Sequence, residues 1–463
     1  MKRLLTSKKM MLAALILLSS LTITKVCAQD TLRLDLSKAL EIALSENPTV
    51  KVANKEIEKK TYAKKGSYSQ LFPQINFSAD YNRTLKKQVM YLDGFGAMAG
   101  GSETEPTDET AAVDISKGIE VGRSNNWSYG FNASMPLVAP TLWKSLTISA
   151  IDVELAVEKA RSSKIAMVNQ VKKSFYSVLL ANDSYIVFKS SYDNAMENYL
   201  DIKKKFDQGL VAEYDLIRAD VSVKNAIPNM LQAENSLTLA KWQLKALLGM
   251  DLDLAIACEG KLLDFESELY ADYLSTDTSL VNNTDLKQID IQNSQLKETI
   301  KMQKYEYLPT LSMTGMYQWS AMNNDFKFKD YRWNPYSVLG LSLSVPIFSG
   351  GSKHYKIKQS EVSLEQLNLQ REDTKRNLQL ALKQYMDNMN TCIKKFNAAQ
   401  KGVDQSKKGY EIAQKRYDTG SGTLLEMNDA ELALTQARLN FNQAIYDYMV
   451  SKSDLEKTLG DQN

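Results

Sequence analysis

The chain has 463 residues, one histidine and a formal net charge of +2. That near-neutral balance gives no field for nucleic acid or an acidic substrate, and His354 alone cannot supply a His-based catalytic or metal site. Hydrophobic residues are 44% and charged residues 24%, too polar for a bundle of membrane helices. Only 20 glycines and 9 prolines favour long uninterrupted helices.

Residues 1–28 read as a signal peptide. Lys2, Arg3, Lys8 and Lys9 precede the apolar run Met10–Leu18, with a small-residue exit at Val26-Cys27-Ala28 and a mature start at Gln29. Cys27 raises a lipidation reading, but Thr24-Lys25-Val26 lacks the small residues such a site uses, so plain cleavage is expected. Cys258 and Cys392 fall at unrelated places and are expected as free thiols. No other run reaches the ~18 apolar residues of a membrane helix.

Four segments alternate with period two. In the first (about 72–83), Ile75, Phe77, Ala79 and Tyr81 alternate with Gln74, Asn76, Ser78 and Asp80. In the second (about 126–137), Trp127, Tyr129, Phe131, Ala133, Met135 and Leu137 alternate with Ser128, Gly130, Asn132 and Ser134. The third (about 309–320) sets Leu311, Met313, Tyr317 and Trp319 against Thr310, Ser312, Thr314 and Gln318. The fourth (about 336–347) sets Leu339, Leu341, Leu343, Val345 and Ile347 against Gly340, Ser342 and Ser344. Strands of ~9–11 residues, apolar outward and polar inward, suit an outer-membrane barrel. Trp127, Trp319, Trp333 and Tyr336 are expected to form an interfacial girdle, with Trp143 beyond the other end. Backbone groups in lipid must all be paired, and single-chain barrels need about eight strands. Four strands therefore require further copies of the chain. Loops Thr84–Asn126 and Ser320–Pro335 are expected outside the cell.

Each strand pair is followed by a long helical pattern. Leu216, Ala219, Val223, Ala226, Met230, Ala233, Leu237, Ala240, Leu244 and Leu247 step by three and four, as do Leu378, Leu382, Tyr385, Met389, Cys392, Phe396 and Ala399. That is a coiled-coil seam, with Pro228 expected to kink it or shift its register. Continuous helix from Thr141 to Phe206 would run ~100 Å at 1.5 Å per residue, a length suited to a conduit.

The chain is also written twice. Pro136 and Pro346 lie 210 residues apart, while Gly209 and Gly420, and Gly249 and Gly460, lie 211 apart. Pro73 and Pro309 are 236 apart because the first strand loop is longer. Residues 29–249 and 284–463 are thus expected as two repeats of helix, strand pair and long helical hairpin. An acidic, aperiodic linker over 250–283 joins them.

The two turns, Lys205-Phe206-Asp207-Gln208-Gly209-Leu210-Val211-Ala212-Glu213-Tyr214-Asp215 and Arg416-Tyr417-Asp418-Thr419-Gly420-Ser421-Gly422-Thr423-Leu424-Leu425-Glu426, resemble the periplasmic tips of TolC-type outer-membrane factors. The resemblance extends over nearly the whole mature chain. It implies a mainly α fold with a membrane β part, in which three copies build a 12-stranded β-barrel and a helical α-barrel. It also implies a passive exit duct of a tripartite efflux pump, or alternatively of a type I secretion system. The implied partners are a periplasmic adaptor, an inner-membrane RND, ABC or MFS transporter, and outer-membrane lipid. On the family pattern Gly209, Leu210, Val211 and Gly420 dock the adaptor at tips about 206–216 and 417–427. Asp215 and Tyr417 are gate residues, and Glu426 and Asp429 contribute to an acidic ring. Gly422 stands where the family has a gate arginine. No cofactor, metal, catalytic residue or nucleic-acid partner is implied. A periplasmic coiled-coil adaptor would lack duplicated lipid-facing strands, and an enzyme has no motif in its favour.

Overall fold

The computed structural model describes residues 32–90, 119–269 and 279–461. The expected signal peptide with Cys27, and the glycine-rich and acidic parts of the first strand loop, lie outside the described residues. The strands are β1 (Leu32–Leu34), β2 (Gln74–Arg83), β3 (Gln88–Met90), β4 (Ile119–Val121), β5 (Asn125–Val138), β6 (Ile256–Cys258), β7 (Thr310–Asn323) and β8 (Asn334–Ser344). The principal helices are α1 (Leu36–Glu46), α2 (Pro48–Ser69), α3 (Pro140–Asp207), α4 (Glu213–Leu248), α5 (Thr284–Tyr305), α6 (Ser352–Asp418) and α7 (Leu424–Leu459). No described helix is long and apolar enough to cross a membrane.

One compact unit comprises Glu56–Val157 and Gln288–Glu372. Its centre is an antiparallel sheet in the order β2-β5-β7-β8. The register keeps like with like. Phe77 lies opposite Phe131, which lies opposite Tyr317, and Met313 lies opposite Leu341. On the other face Asn76 meets Asn132, Ser134 meets Thr314, and Ser312 meets Ser342. A one-residue slip would exchange the faces, so the apolar alternation pins the register.

No described residue of the chain covers the apolar face: Phe77 is 60% exposed, Leu339 77% and Leu341 69%. In water such a face would be a sticky patch, whereas against hydrocarbon it is the required exterior. β2 and β8 are the open edges, which lipid does not tolerate. Further copies of the chain must therefore close the sheet.

Aromatic residues cluster toward one end. Tyr81 stacks on Trp127 at 4.3 Å, and Tyr129 meets Trp319 at 5.3 Å and Trp333 at 4.9 Å between ring centroids. Tyr336 does not join this girdle. It pairs with Gln318 and so belongs to the polar face, one residue out of phase with the lipid-facing set. Met316 and Val338 also pair on that face. β8 stops at Ser344, short of Ile347; Pro346 has no N–H to continue a ladder.

The other unit comprises Met1–Lys55, Glu158–Lys287 and Asp373–Asn463. Its core joins Val171, Phe175 and Leu179 of α3, Leu244 and Leu248 of α4, Phe396 of α6, and Ile445 and Tyr448 of α7. Along α4 the expected seam is buried at Ala219, Val223, Ala233, Leu237, Ala240 and Leu244. It loosens between Val223 and Ala233, around Pro228, where no residue is buried.

Residues 256–269, inside the stretch read as a linker, are folded. β6 pairs in parallel with β1, and Leu262 and Leu269 enter the core. The buried Lys245 ammonium donates to the carbonyls of Leu252 (2.5 Å) and Leu254 (2.9 Å). Cys258 is a free thiol pushed up to about 11 by burial, and Cys392 is free and buried.

Two asparagines do the same work 236 residues apart. Asn47 accepts from the Thr49 amide at 2.7 Å and donates to the Leu247 carbonyl at 2.6 Å. Asn283 accepts from the Asp285 amide at 3.0 Å and donates to the Thr458 carbonyl at 2.8 Å. Each starts an outgoing helix (α2, α5) and ties it to the end of a returning one (α4, α7). Those returning helices end in Gly249 and Gly460 at φ +73° and +81°, the left-handed closure that glycine allows. At Gly460 a Cβ would stand 2.2 Å from the Asn282 carbonyl oxygen.

Candidate functional site

The two hairpin tips lie within this second unit and are built alike. At the first, the Gly209 amide donates to the Phe206 carbonyl (2.8 Å) and the Leu210 amide to that of Lys205 (2.9 Å). At the second, the Gly420 amide donates to Tyr417 (3.0 Å) and the Ser421 amide to Arg416 (2.9 Å). Gly209 and Gly420 have φ of +72° and +73°, so both use glycine to close the helix end. Leu210 is 70% exposed, while Val211 leans against a small core of Ile202, Ala219, Leu424 and Met427. That core joins the two tips.

The helix starts differ. At α7, Thr423 Oγ1 accepts from the Glu426 amide (3.2 Å) and Glu426 Oε2 accepts from the Thr423 amide (3.3 Å), a reciprocal capping box. At α4 the equivalent residue is Ala212, which has no side-chain oxygen to cap with. Asp215 occupies the position corresponding to Glu426.

The structure brings Tyr417 together with the first tip. Its half-buried ring packs on the tip core, and the Lys205 ammonium sits 5.4 Å from the ring centroid. Lys205 also pairs with Asp201 at 2.7 Å, which raises its pKa. Burial pushes the Tyr417 hydroxyl up, opposed by Lys205 and reinforced by Asp215, Asp201 and Asp418. Asp215 is thus within electrostatic reach of Tyr417. Glu426 and Asp429 are exposed, three residues apart on α7, and Arg416 approaches Glu426 at 3.7 Å.

Gly422 is crowded: a Cβ there would lie 3.0 Å from the Arg416 Cβ. The local cation is Arg416, whose guanidinium donates to the Ser421 carbonyl at 3.2 Å. Sequence reasoning missed Lys205, Asp201 and Arg416. The signal was available, since Lys205 and Arg416 stand 211 residues apart, each just before its tip aromatic. No group of three or more potential metal ligands occurs among the described residues.

A family model described as "Outer membrane efflux protein" matches residues 39–250 and 276–461. The chain belongs to this family. The outer membrane protein TolC of Vibrio cholerae is 24% identical over 361 residues, 76% of this chain and 81% of that protein. The alkaline protease secretion protein AprF of Pseudomonas aeruginosa is 21% identical, covering 91% of this chain and 84% of its own length. The same fold occurs in the Campylobacter jejuni CmeC outer membrane channel, with a TM-score of 0.70 at 20% identity, covering 92% of this chain and 85% of that one. The VceC outer membrane protein of Vibrio cholerae gives a TM-score of 0.69 at 14% identity, with coverages of 92% and 96%. Outer membrane efflux proteins are homotrimeric ducts rather than enzymes, with their helical part in the periplasm. They work with adaptors and inner-membrane transporters.

Proposed function

We propose that three copies of this chain form the outer-membrane exit duct of a tripartite efflux pump, passive in itself and energised from the inner membrane. The observation that carries this reading is the four-stranded sheet, apolar on one face and open at both edges. A secretion duct is the second reading, favoured by the likeness to AprF, itself a secretion protein.

The tips at Gly209, Leu210, Val211 and Gly420 are the adaptor-docking surface. Asp215 and Tyr417 form the gate, with Lys205 supplying a cation in the absence of an arginine at 422. Glu426 and Asp429 from three chains form a ring of six carboxylates on the axis, a cation-attracting constriction. We read 29–249 and 284–463 as the two repeats, joined by 250–283; the matching roles of Asn47 and Asn283 support that division. Purified protein in planar bilayers should conduct as a trimer. A monomer that conducts nothing would overturn the reading.

A further inference from the structure

Glu431 sits where a hydrophobic residue belongs. With Leu424, Met427 and Leu434 it forms the buried stripe of α7 at steps of three and four, just above the tip core. It is 7% exposed, and its Oε1 has no hydrogen-bond partner. Burial raises its pKa, opposed by Asn194 and then Ser191 of α3, which face it and favour its charged form. Tyr410 of α6 lies beside it; burial, then Glu431, Glu197 and Asp418, push that hydroxyl up in turn. One turn below Asn194, the Asn198 Nδ2 is also buried without a partner. Glu431 forms no ion pair among the described residues.

The duplication supplies an internal comparison. The position 211 residues earlier is Asp220, which is half-exposed and pairs with Lys224 at 2.6 Å. The residue corresponding to Lys224 is Thr435. The second repeat therefore carries an acid at the equivalent place, buried and without the neighbouring cation. A register-fixing polar residue in a seam would be expected to find a partner; this one leaves an oxygen orphaned between the two hairpins.

The geometry points to Glu431 as a proton-operated latch of the seam between the hairpins: neutral while the seam is shut, ionised when it parts and water enters. This deepens the duct reading and rests on it. The sign follows from linkage. The shut seam holds the proton more tightly, so raising pH favours the parted state. Each unit of pKa difference between the two states changes their ratio by up to about tenfold per protomer.

The test uses the full-length trimer in planar bilayers across pH, with the native sequence as the parent. Open probability should rise with pH in that parent, and adding Glu431→Gln should hold the channel shut and flatten the profile. Asn194→Ala keeps the carboxyl but removes a donor to its charged form, so the midpoint should move to higher pH; this variant also serves if Glu431→Gln fails to assemble. A conducting parent whose profile ignores the substitutions overturns the latch and leaves the duct standing. A parent that conducts at no pH overturns the duct reading itself.

Discussion

Phe77 and Asn76 are neighbours on the edge strand β2, both exposed in one chain, yet they face different media, Phe77 the lipid and Asn76 the lumen. Phe77 stands mid-strand, with its ring 5.3 Å from Phe131, and its pair row runs on to Tyr317 across the apolar face. Arginine at the mid-plane of the lipid face of a barrel costs about 2–4 kcal/mol per copy, so Phe77→Arg should cost about 6–12 kcal/mol per trimer. Phe77→Leu isolates the loss of aromatic packing and should cost about 1 kcal/mol per copy. Asn76→Arg points into the lumen beside Asn132 and should leave stability nearly unchanged while adding three cations to the channel and reducing its cation preference. Outer-membrane yield and denaturant midpoints of the folded trimer in lipid vesicles measure the first two effects, and reversal potentials measure the third. Equal destabilisation by Asn76→Arg and Phe77→Arg would refute the face assignment.

Three further outcomes follow from the geometry. Asn47→Asp and Asn283→Asp each replace an amide donor with an acceptor facing a carbonyl, costing about 1–3 kcal/mol; thermal unfolding of the detergent-solubilised trimer should show similar losses, and a loss at only one site would contradict their equivalence. Glu426→Ala with Asp429→Ala should lower cation selectivity and weaken block by multivalent cations, and unchanged selectivity would refute the ring. Thr423→Ala removes the α7 cap, worth about 1 kcal/mol, and should speed hydrogen exchange over residues 424–428 without affecting the first tip.

The strands were legible because a regular strand turns sequence parity into facing, and Ile75, Phe77 and Leu341 obey it. Tyr336 shows the limit of reading by proximity. It lies close to Trp333 in sequence, but its parity puts it opposite Gln318 in the lumen. Met316 and Val338 mislead in the other direction, since apolar residues also occur on a predominantly polar face. The coiled-coil seam was legible for the same periodic reason and blurred only around Pro228. The segment 256–269 was not, because β6 completes its pairing with β1, more than 200 residues away, and no local period announces a parallel three-residue ladder. The repeat offset marked Lys205 as a position, but its contact with Tyr417, like the asparagine clamps, was invisible for a related reason. Each needs two distant segments to meet, and a single polar side chain leaves no pattern in its own neighbourhood.

Asp215 and Glu426 were given separate roles, gate and ring, yet they occupy the same place in the two repeats, three residues after Ala212 and Thr423. What separates them is the cap. Glu426 is held by the Thr423 amide and approached by Arg416, whereas Ala212 offers Asp215 no reciprocal hydroxyl, so that carboxylate bears on Tyr417 instead. Ala212→Thr should therefore convert the first tip into a copy of the second. The new hydroxyl would accept from the Asp215 amide, and the Asp215 carboxylate would turn to the amide of residue 212, stabilising the α4 start by about 1 kcal/mol. Hydrogen exchange over residues 214–218 should slow about fivefold, and closed-state lifetimes in bilayers should shorten as Asp215 leaves Tyr417. If exchange slows while gating is untouched, the Asp215–Tyr417 interaction does not hold the duct shut. If exchange does not slow, the equivalence of the two tips is refuted, and the difference between their acids must come from the chain that follows rather than from one missing hydroxyl.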